Sequence, residues 1–319
     1  MQKPRVLIVQ PIAQEGTELL INAGMEVMFA ENASHETLCK YIVDCDAMLV
    51  RTAPISRELM EKGTKLRVIA KHGIGTDNID VEFANEKGIY VCNAPNSNTN
   101  SVAEHTVGLI LSLAHNINRA DKAVRQGHYE ARYTFIGTEL KGRTLGLIGF
   151  GNIGKLVAKK CFDGFGMQIV VYDPYAKNKE DFRDVQFVDK VDELYKESDF
   201  ISLHLPYLAS LHHFINEESF SKMKKSAFLI NCARGGLVDE KALYKALTEG
   251  EIAGAALDVF EEEPTPVKHP LWQCDQVVVT PHMAAHSKEA LVNMATGAAE
   301  EIIRVLHGDK PRHCVNDPI

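Results

Sequence analysis

One stretch, Leu145 to Gly154, constrains the chain more than any other: it reads LGLIGFGNIG. An apolar run enters Gly149, Phe150, Gly151, Asn152, Ile153 and Gly154, after which Ile153, Val157, Cys161 and Phe165 recur at every fourth position. That pattern describes a strand, a glycine turn and a helix. Each glycine has a separate task. Gly149 lets the chain turn sharply off the strand, Gly151 leaves the backbone open to a pyrophosphate, and Gly154 lets the helix pack closely. The helix start offers unpaired N–H groups and the positive end of its dipole to phosphates. GxGxxG by itself also occurs in ordinary glycine-rich turns. Here a second strand, Gln168 to Tyr172, ends at Asp173, where a carboxylate can accept the adenosine ribose hydroxyls and repel a 2′-phosphate. The combination predicts a dinucleotide site that favours NAD over NADP.

A chain of 319 residues exceeds what one hydrophobic core usually holds, which predicts two domains. A net charge of −8 and a pI near 5.9 argue against a nucleic-acid or anionic-membrane surface and favour a small-molecule site. The seven cysteines form no CxxC pair, so neither a disulfide framework nor a zinc site is expected. They read as reduced core residues of a cytoplasmic protein. The N-terminal apolar run is too short for a signal peptide, and no stretch reaches the length of a membrane span.

From Arg5 onward, short apolar runs alternate with helical segments. Val6 to Val9, Val27 to Phe29, Ala47 to Val50, Arg67 to Lys71 and Tyr90 to Cys92 are the expected strands, the pattern of a parallel sheet flanked by helices. Two loops follow strand ends, where such sheets bind ligands. One is Arg51 and Thr52. The other, residues 72–78, reads HGIGTDN, and Gly73 and Gly75 on either side of Ile74 expose backbone N–H groups suited to a carboxylate. Both are also compatible with ordinary loops. Residues 98–120 are expected to form one helix, apolar on most faces, serving either as a core helix joining two domains or as part of a subunit interface. His105 within it reads as a hydrogen-bonded core residue. In the second half, strands are expected at Thr144, 168–172, 200–205, 227–231, 253–259 and 277–280. Asp239 is the expected N-cap of the following helix, and a long helix is expected over 288–306.

Three ionisable residues stand just past strand ends: Arg234, Glu263 and His282. In a parallel sheet all three project from the edge that carries the glycine turn. Reduction of a 2-keto acid needs a proton donor for the carbonyl oxygen and a cation to polarise it. An imidazole, with an ordinary pKa of about 6.5, suits the first task. A planar guanidinium can hold carboxylate and carbonyl oxygens together, and a carboxylate beside the imidazole can fix its ring. The same residues are also the makings of a surface ion pair and a loop histidine.

The motifs KHGIGTDNID, NSVAEHTVGL, GRTLGLIGFGNIG, NCARGGLVDE, GAALDVFEEEP and TPHMAAHS resemble the D-isomer-specific 2-hydroxyacid dehydrogenase family, over essentially the whole chain. VRTAPIS and FIGTELKGRTLG are most similar to its phosphoglycerate dehydrogenase branch. The resemblance implies an α/β fold of two doubly wound parallel-sheet domains with a cleft between them. One is a Rossmann-type NAD-binding domain at 99–287, and the other a flavodoxin-like substrate domain built from 1–98 and 288–319. It implies Arg234, Glu263 and His282 as catalytic residues. Gly149, Gly151, Asn152, Ile153, Gly154, Asp173, Leu205, Cys232, Ala233 and Asp258 are implied as cofactor contacts. The resemblance further implies that Arg51, Thr52, Gly73, Ile74 and Gly75 face the substrate, a small 2-hydroxy or 2-keto acid, and that a homodimer forms around the 98–120 helix. The chain departs from the phosphoglycerate branch at His286, Lys71 and His72, and it ends without room for a C-terminal regulatory domain. Arg51, Arg132 and Lys141 are candidate phosphate donors or solvated charges. Phosphoglycerate is the favoured substrate, with glycerate, lactate or a branched analogue as alternatives. A NAD-sensing corepressor-like scaffold is the alternative of another class.

Overall fold

A computed structural model describes residues 3–318. In chain order the elements are β1 (Arg5–Ile8), α1 (Gln14–Asn22), β2 (Glu26–Phe29), α2 (His35–Tyr41), β3 (Ala47–Val50), α3 (Arg57–Met60), β4 (Val68–Lys71), α4 (Val81–Glu86) and β5 (Tyr90–Cys92). Two helices follow, α5 (Thr99–Ala114) and α6 (Ile117–Arg125), then β6 (Thr144–Ile148), α7 (Asn152–Phe165), β7 (Gln168–Tyr172) and β8 (Val185–Phe187). The remainder is α8 (Val191–Glu197), β9 (Phe200–Leu203), α9 (Glu217–Lys222), β10 (Phe228–Asn231), α10 (Glu240–Thr248), β11 (Gly254–Leu257), β12 (Val277–Val279) and α11 (Lys288–Leu306). The chain divides into two compact units, residues 1–98 with 286–319, and residues 99–285. Among the described residues no helix is long and apolar enough to cross a membrane.

The first unit is a five-stranded parallel sheet in the order β2-β1-β3-β4-β5, the flavodoxin-type order. Its central strand β3 is buried along its whole length, which is why its sequence is a continuous apolar run rather than an alternation. The chain's last long helix, α11, covers one face. Ser287 caps it by accepting from the Ala290 amide at 3.1 Å, and Ala298, Ala299, Ile302 and Val305 share a core cluster with Val6, Ile8 and Leu49. Helix α1 crosses α11 so closely that a Cβ on Gly16 would sit 2.8 Å from the Ala295 carbonyl oxygen.

The second unit is a seven-stranded parallel sheet in the order β12-β11-β10-β9-β6-β7-β8. Strand order reverses between β6 and β9, the crevice where open sheets of this kind bind ligands. Two features differ from the sequence reading. The helix expected over 98–120 is two helices, because Asn116 adopts a left-handed φ of 54° between them, a conformation asparagine tolerates better than most residues. Ile117, inside the stretch expected as one apolar helix, therefore lies on α6 and is 52% exposed. Strand β8 was not expected. It is a three-residue edge strand with no fully buried position, too short to leave a period-2 signal. By contrast α5 is covered as expected within its own unit, with Val102, Ala103, Thr106, Val107, Leu109 and Ile110 all buried. Asp239 caps α10 by accepting from the Lys241 and Ala242 amides at 3.0 Å.

Each unit holds a histidine kept neutral. Burial, then the nearby Arg51 charge, lowers the pKa of His72 to about 4. Burial lowers that of His204 to about 4. Unfolding restores an ordinary value of about 6.5, so the unfolded chain takes up protons first as pH falls. This stability contribution is complete above about pH 6.5 and is lost progressively down to about pH 4. We expect His72→Gln and His204→Gln together to flatten the decline of the melting temperature across that window, as followed by circular dichroism.

Candidate active site

The turn after β6 has the geometry its glycines require. Gly149 has φ +95°, and a Cβ there would lie 2.5 Å from the His204 carbonyl oxygen, so only glycine fits. At Gly151, the N-cap of α7, an added Cβ would meet nothing within 4 Å, leaving the helix start open. A Cβ on Gly154 would come within 2.5 Å of the Gly149 carbonyl oxygen. The close packing it permits is thus against the turn itself. Asn152 and Ile153 form the first turn of α7. Asp173, just past β7, accepts from the Phe150 amide at 2.8 Å through Oδ2 and from the Tyr175 amide at 2.8 Å through Oδ1, so its carboxylate is fixed beside the turn. An unobstructed helix N-terminus and a fixed carboxylate at the next strand end fit a dinucleotide. Leu205, Cys232 and Ala233 follow β9 and β10 along the same sheet edge, each half-buried. Burial raises the Cys232 thiol pKa to about 12, leaving it an unreactive thiol.

Arg234, Glu263 and His282 follow β10, β11 and β12, three adjacent parallel strands. The imidazole and the carboxylate meet: His282 Nδ1 lies 2.6 Å from Glu263 Oε2. The other oxygen, Glu263 Oε1, accepts from the Phe260 amide at 3.0 Å. Burial alone would raise the Glu263 pKa, but the hydrogen bonds from His282 and Phe260 and the charges of His282 and Arg234 outweigh it and hold the carboxyl below its ordinary value. The Arg234 guanidinium donates to the Ala233 carbonyl at 2.7 Å. His282 is half-exposed at its side chain and has φ +50°, a strained conformation for a residue with a Cβ.

That strain is held in place by Asp258, which the sequence marked only as a cofactor contact. It is fully buried. Its Oδ1 accepts from Thr280 Oγ1 at 2.6 Å and from the Met283 amide at 2.9 Å, and its Oδ2 from the Ala284 amide at 2.8 Å. Its backbone carbonyl accepts from the His282 amide at 2.7 Å. His105 Nε2 lies 3.0 Å from Thr280 Oγ1, so this helix residue is hydrogen-bonded as expected. The sequence marks Asp258 but not its hold on the His282 loop. The available signal was the polar Asp258 directly after the apolar GAAL strand.

In the first unit, Arg51 and Thr52 follow β3, and Gly73, Ile74 and Gly75 follow β4. Gln10 ties down the first loop, accepting from the Thr52 and Ala53 amides at 2.8 and 3.0 Å and donating to Thr52 Oγ1 at 2.8 Å. Arg51 donates to the Pro11 carbonyl at 2.9 Å and lies 3.0 Å from His286 Nε2. A guanidinium cannot accept, so His286 presents a lone pair there. The second loop is braced by the Asn93 side chain on the Ile74 carbonyl at 2.8 Å and by the Ala94 amide on the Gly73 carbonyl at 2.9 Å. Gly73 has φ +133°. In the second unit, Arg132 lies over the exposed rings of Tyr129 and Tyr133, and Lys141 is exposed.

One group of metal-type ligands occurs among the described residues, His213 with Asp239 and Glu261. Both carboxylates already give an oxygen to the N-terminal amides of α10.

The sequence model of the D-isomer specific 2-hydroxyacid dehydrogenase, NAD binding domain, matches residues 107–284. D-3-phosphoglycerate dehydrogenase of Methanocaldococcus jannaschii is 46% identical over 316 residues, covering 98% of this chain and 60% of that protein. The chain thus spans about three fifths of the length of that relative. Hydroxypyruvate reductase of Thermotoga maritima is 44% identical over 309 residues, covering 96% of this chain and 99% of that protein. Among solved structures, the TT0316 protein from Thermus thermophilus matches with a TM-score of 0.91 at 34% identity, over 98% of this chain and 99% of that one.

Replacing Asp258 by Asn sets an amide NH2 against one of the buried donors and leaves that donor unsatisfied. We expect a loss of about 2 kcal/mol of stability in urea unfolding, the usual cost of such a mismatch.

Proposed function

The chain belongs to the D-isomer specific 2-hydroxyacid dehydrogenase family, and from that premise we propose that it interconverts a small D-2-hydroxy acid and its 2-keto acid with NAD. The observation that carries this reading is the 2.6 Å contact between His282 and Glu263, on the sheet edge that bears the open glycine turn and Asp173. Bound NAD supplies or takes up the hydride at C2 of the substrate. In the reducing direction His282 Nε2 gives its proton to the carbonyl oxygen, and in the oxidising direction it takes the hydroxyl proton back. Glu263 holds Nδ1, which fixes the ring and leaves Nε2 to face the substrate. Glu263 stays ionised below the ordinary carboxylate pKa, so it keeps this task at neutral pH. The planar fork of Arg234 orients the substrate carboxylate and polarises the carbonyl. The backbone of Gly73, Ile74 and Gly75, with Arg51 and Thr52, is the first unit's contribution to substrate binding. Asn152, Ile153, Leu205, Cys232 and Ala233 line the cofactor's path along the second unit, and Asp258 acts there by holding the loop of His282.

We favour a three-carbon acid, 3-phosphoglycerate first. The likeness to a D-3-phosphoglycerate dehydrogenase supports it, as does Arg51, which has no carboxylate partner among the described residues and suits a second anion. A second reading, glycerate and hydroxypyruvate, is favoured by the match along nearly the whole of a hydroxypyruvate reductase and by the engagement of Arg51 with His286. A homodimer is proposed through residues 98–120 and the arm that follows, where Ile117, Val124, Tyr129, Tyr133 and Ile136 are exposed.

Steady-state oxidation of NADH with 3-phosphohydroxypyruvate, hydroxypyruvate, glyoxylate and pyruvate tests the reading, and the highest kcat/KM identifies the substrate. NADH binding without turnover of any of them would favour the scaffold. His282→Ala is expected to lower kcat by about 10²-fold or more, the usual scale of general acid–base help, and near-normal turnover would remove it from the mechanism. Asp173→Ala is expected to narrow the ratio of kcat/KM for NADH over NADPH by about tenfold or more. Sedimentation of Ile136→Glu as a monomer, with the parent a dimer, would support the assembly.

A further inference from the structure

The edge strand β5 is covered by the C-terminal segment. Cys92 and Cys314 form an antiparallel bridge, flanked by the Asn93 amide on the His313 carbonyl at 3.0 Å and the Val315 amide on the Val91 carbonyl at 2.8 Å. Because the flanking residues carry the hydrogen bonds, the two cysteines are a non-hydrogen-bonded pair. Residues so placed have Cα atoms about 4.5 Å apart and side chains on one face. That separation lies within the range a disulfide spans, about 4.4–6.8 Å. Both side chains pack on the same cluster with Ala298 and Ile302. The segment is further secured by the Asn316 side chain, which accepts from the Val91 amide and donates to the Ile89 carbonyl, each at 2.8 Å. The Arg312 amide donates to the buried Glu301 carboxylate at 2.7 Å. The register of the two cysteines is therefore set mainly by backbone and Asn316 bonds, while the Cys314 thiol donates to the Val91 carbonyl at 3.3 Å and to Asn316 Oδ1 at 3.0 Å, bonds it gives up when it is oxidised.

We propose that Cys92 and Cys314 form a reversible disulfide that locks the C-terminal segment onto β5, with a small-molecule disulfide as the oxidant. Cys314 is half-buried and Cys92 fully buried, so Cys314 reacts first. Its thiolate displaces one thiolate from the small disulfide and leaves a mixed disulfide on its Sγ. Cys92 then gives up its proton and attacks that Sγ, forming the Sγ–Sγ bond and expelling the second small thiolate. Two protein thiols are oxidised, the small disulfide is reduced to two thiols, and the protons end on them. Burial, and next the neighbouring Cys314, raises the Cys92 thiol pKa well above its ordinary value, which fits Cys92 as the slow second partner rather than the entry point. The bond would fix the strand end that runs into Asn93 and Ala94, the residues bracing the 73–75 loop.

The test uses the full chain in oxidised glutathione. Peptide mapping without reductant is expected to show the Cys92 and Cys314 peptides joined, and dithiothreitol to separate them. The oxidised protein is expected to melt about 5 °C or more above the reduced form, since the bond closes a long loop of the unfolded chain, and Cys314→Ala is expected to abolish the shift. Glutathione retained on Cys314 with no joined peptide would overturn the proposal. A joined peptide with an unchanged melting temperature would overturn the locking role. Neither result depends on which acid the enzyme reduces.

Discussion

A fully buried carboxylate, Asp258, fixes the loop on which the proposed chemistry depends. It takes up the Thr280 hydroxyl and the Met283 and Ala284 amides, while its own carbonyl takes the His282 amide. A buried charge is costly unless its oxygens are satisfied, and here three donors from one short loop satisfy them. The loop has little freedom left, and His282 is held at φ +50°. In that strained conformation its ring lies within 2.6 Å of Glu263. Strain at one residue is maintained by a hydrogen-bonded network around it, the general pattern for residues whose position matters more than their comfort.

The first unit solves a similar problem with a neutral side chain. Gln10, just past β1, binds the backbone of Thr52 and Ala53 past β3, as Asp258 past β11 binds the backbone past β12. In each case a polar residue at one strand end organises the loop at the next, and parallel strands make this possible because all their ends point the same way. Fixed loops on rigid sheets let a few side chains act with defined geometry.

Much of this architecture was legible in the sequence, and the exceptions have physical reasons. Parallel strands are short apolar runs between helical segments, so every strand of the first unit, the partly exposed edge strand β2 included, and six of the seven in the second stood out; β8 did not, because its three residues, VQF, carry a glutamine at the centre and leave no apolar run. The break at Asn116 was missed because apolar spacing continues through it to Ile117. Periodicity reports which residues could share a face and does not register a single left-handed residue. Arg234, Glu263 and His282 drew notice because polar groups after apolar strands are conspicuous, and of the three the fold joins His282 to Glu263 directly. The first unit's own braces, Gln10 and Asn93, were not found, because a side chain that bonds backbone leaves no spacing pattern.

Asp258 shows why the same residue can be placed in a site by its motif while its role is not. In sequence it stands beside the chemistry, after GAAL and before VFEE, and a carboxylate there could as well meet a ribose, a metal or a substrate. Only the fold shows that both oxygens are taken up by donors from residues 280–284, more than twenty positions away along the chain. The placement of His282 is therefore a long-range property, set by a pairing between two strand ends rather than by the residues around the histidine. A local change near His282 that keeps these donors should be tolerated better than a distant change that removes the acceptor.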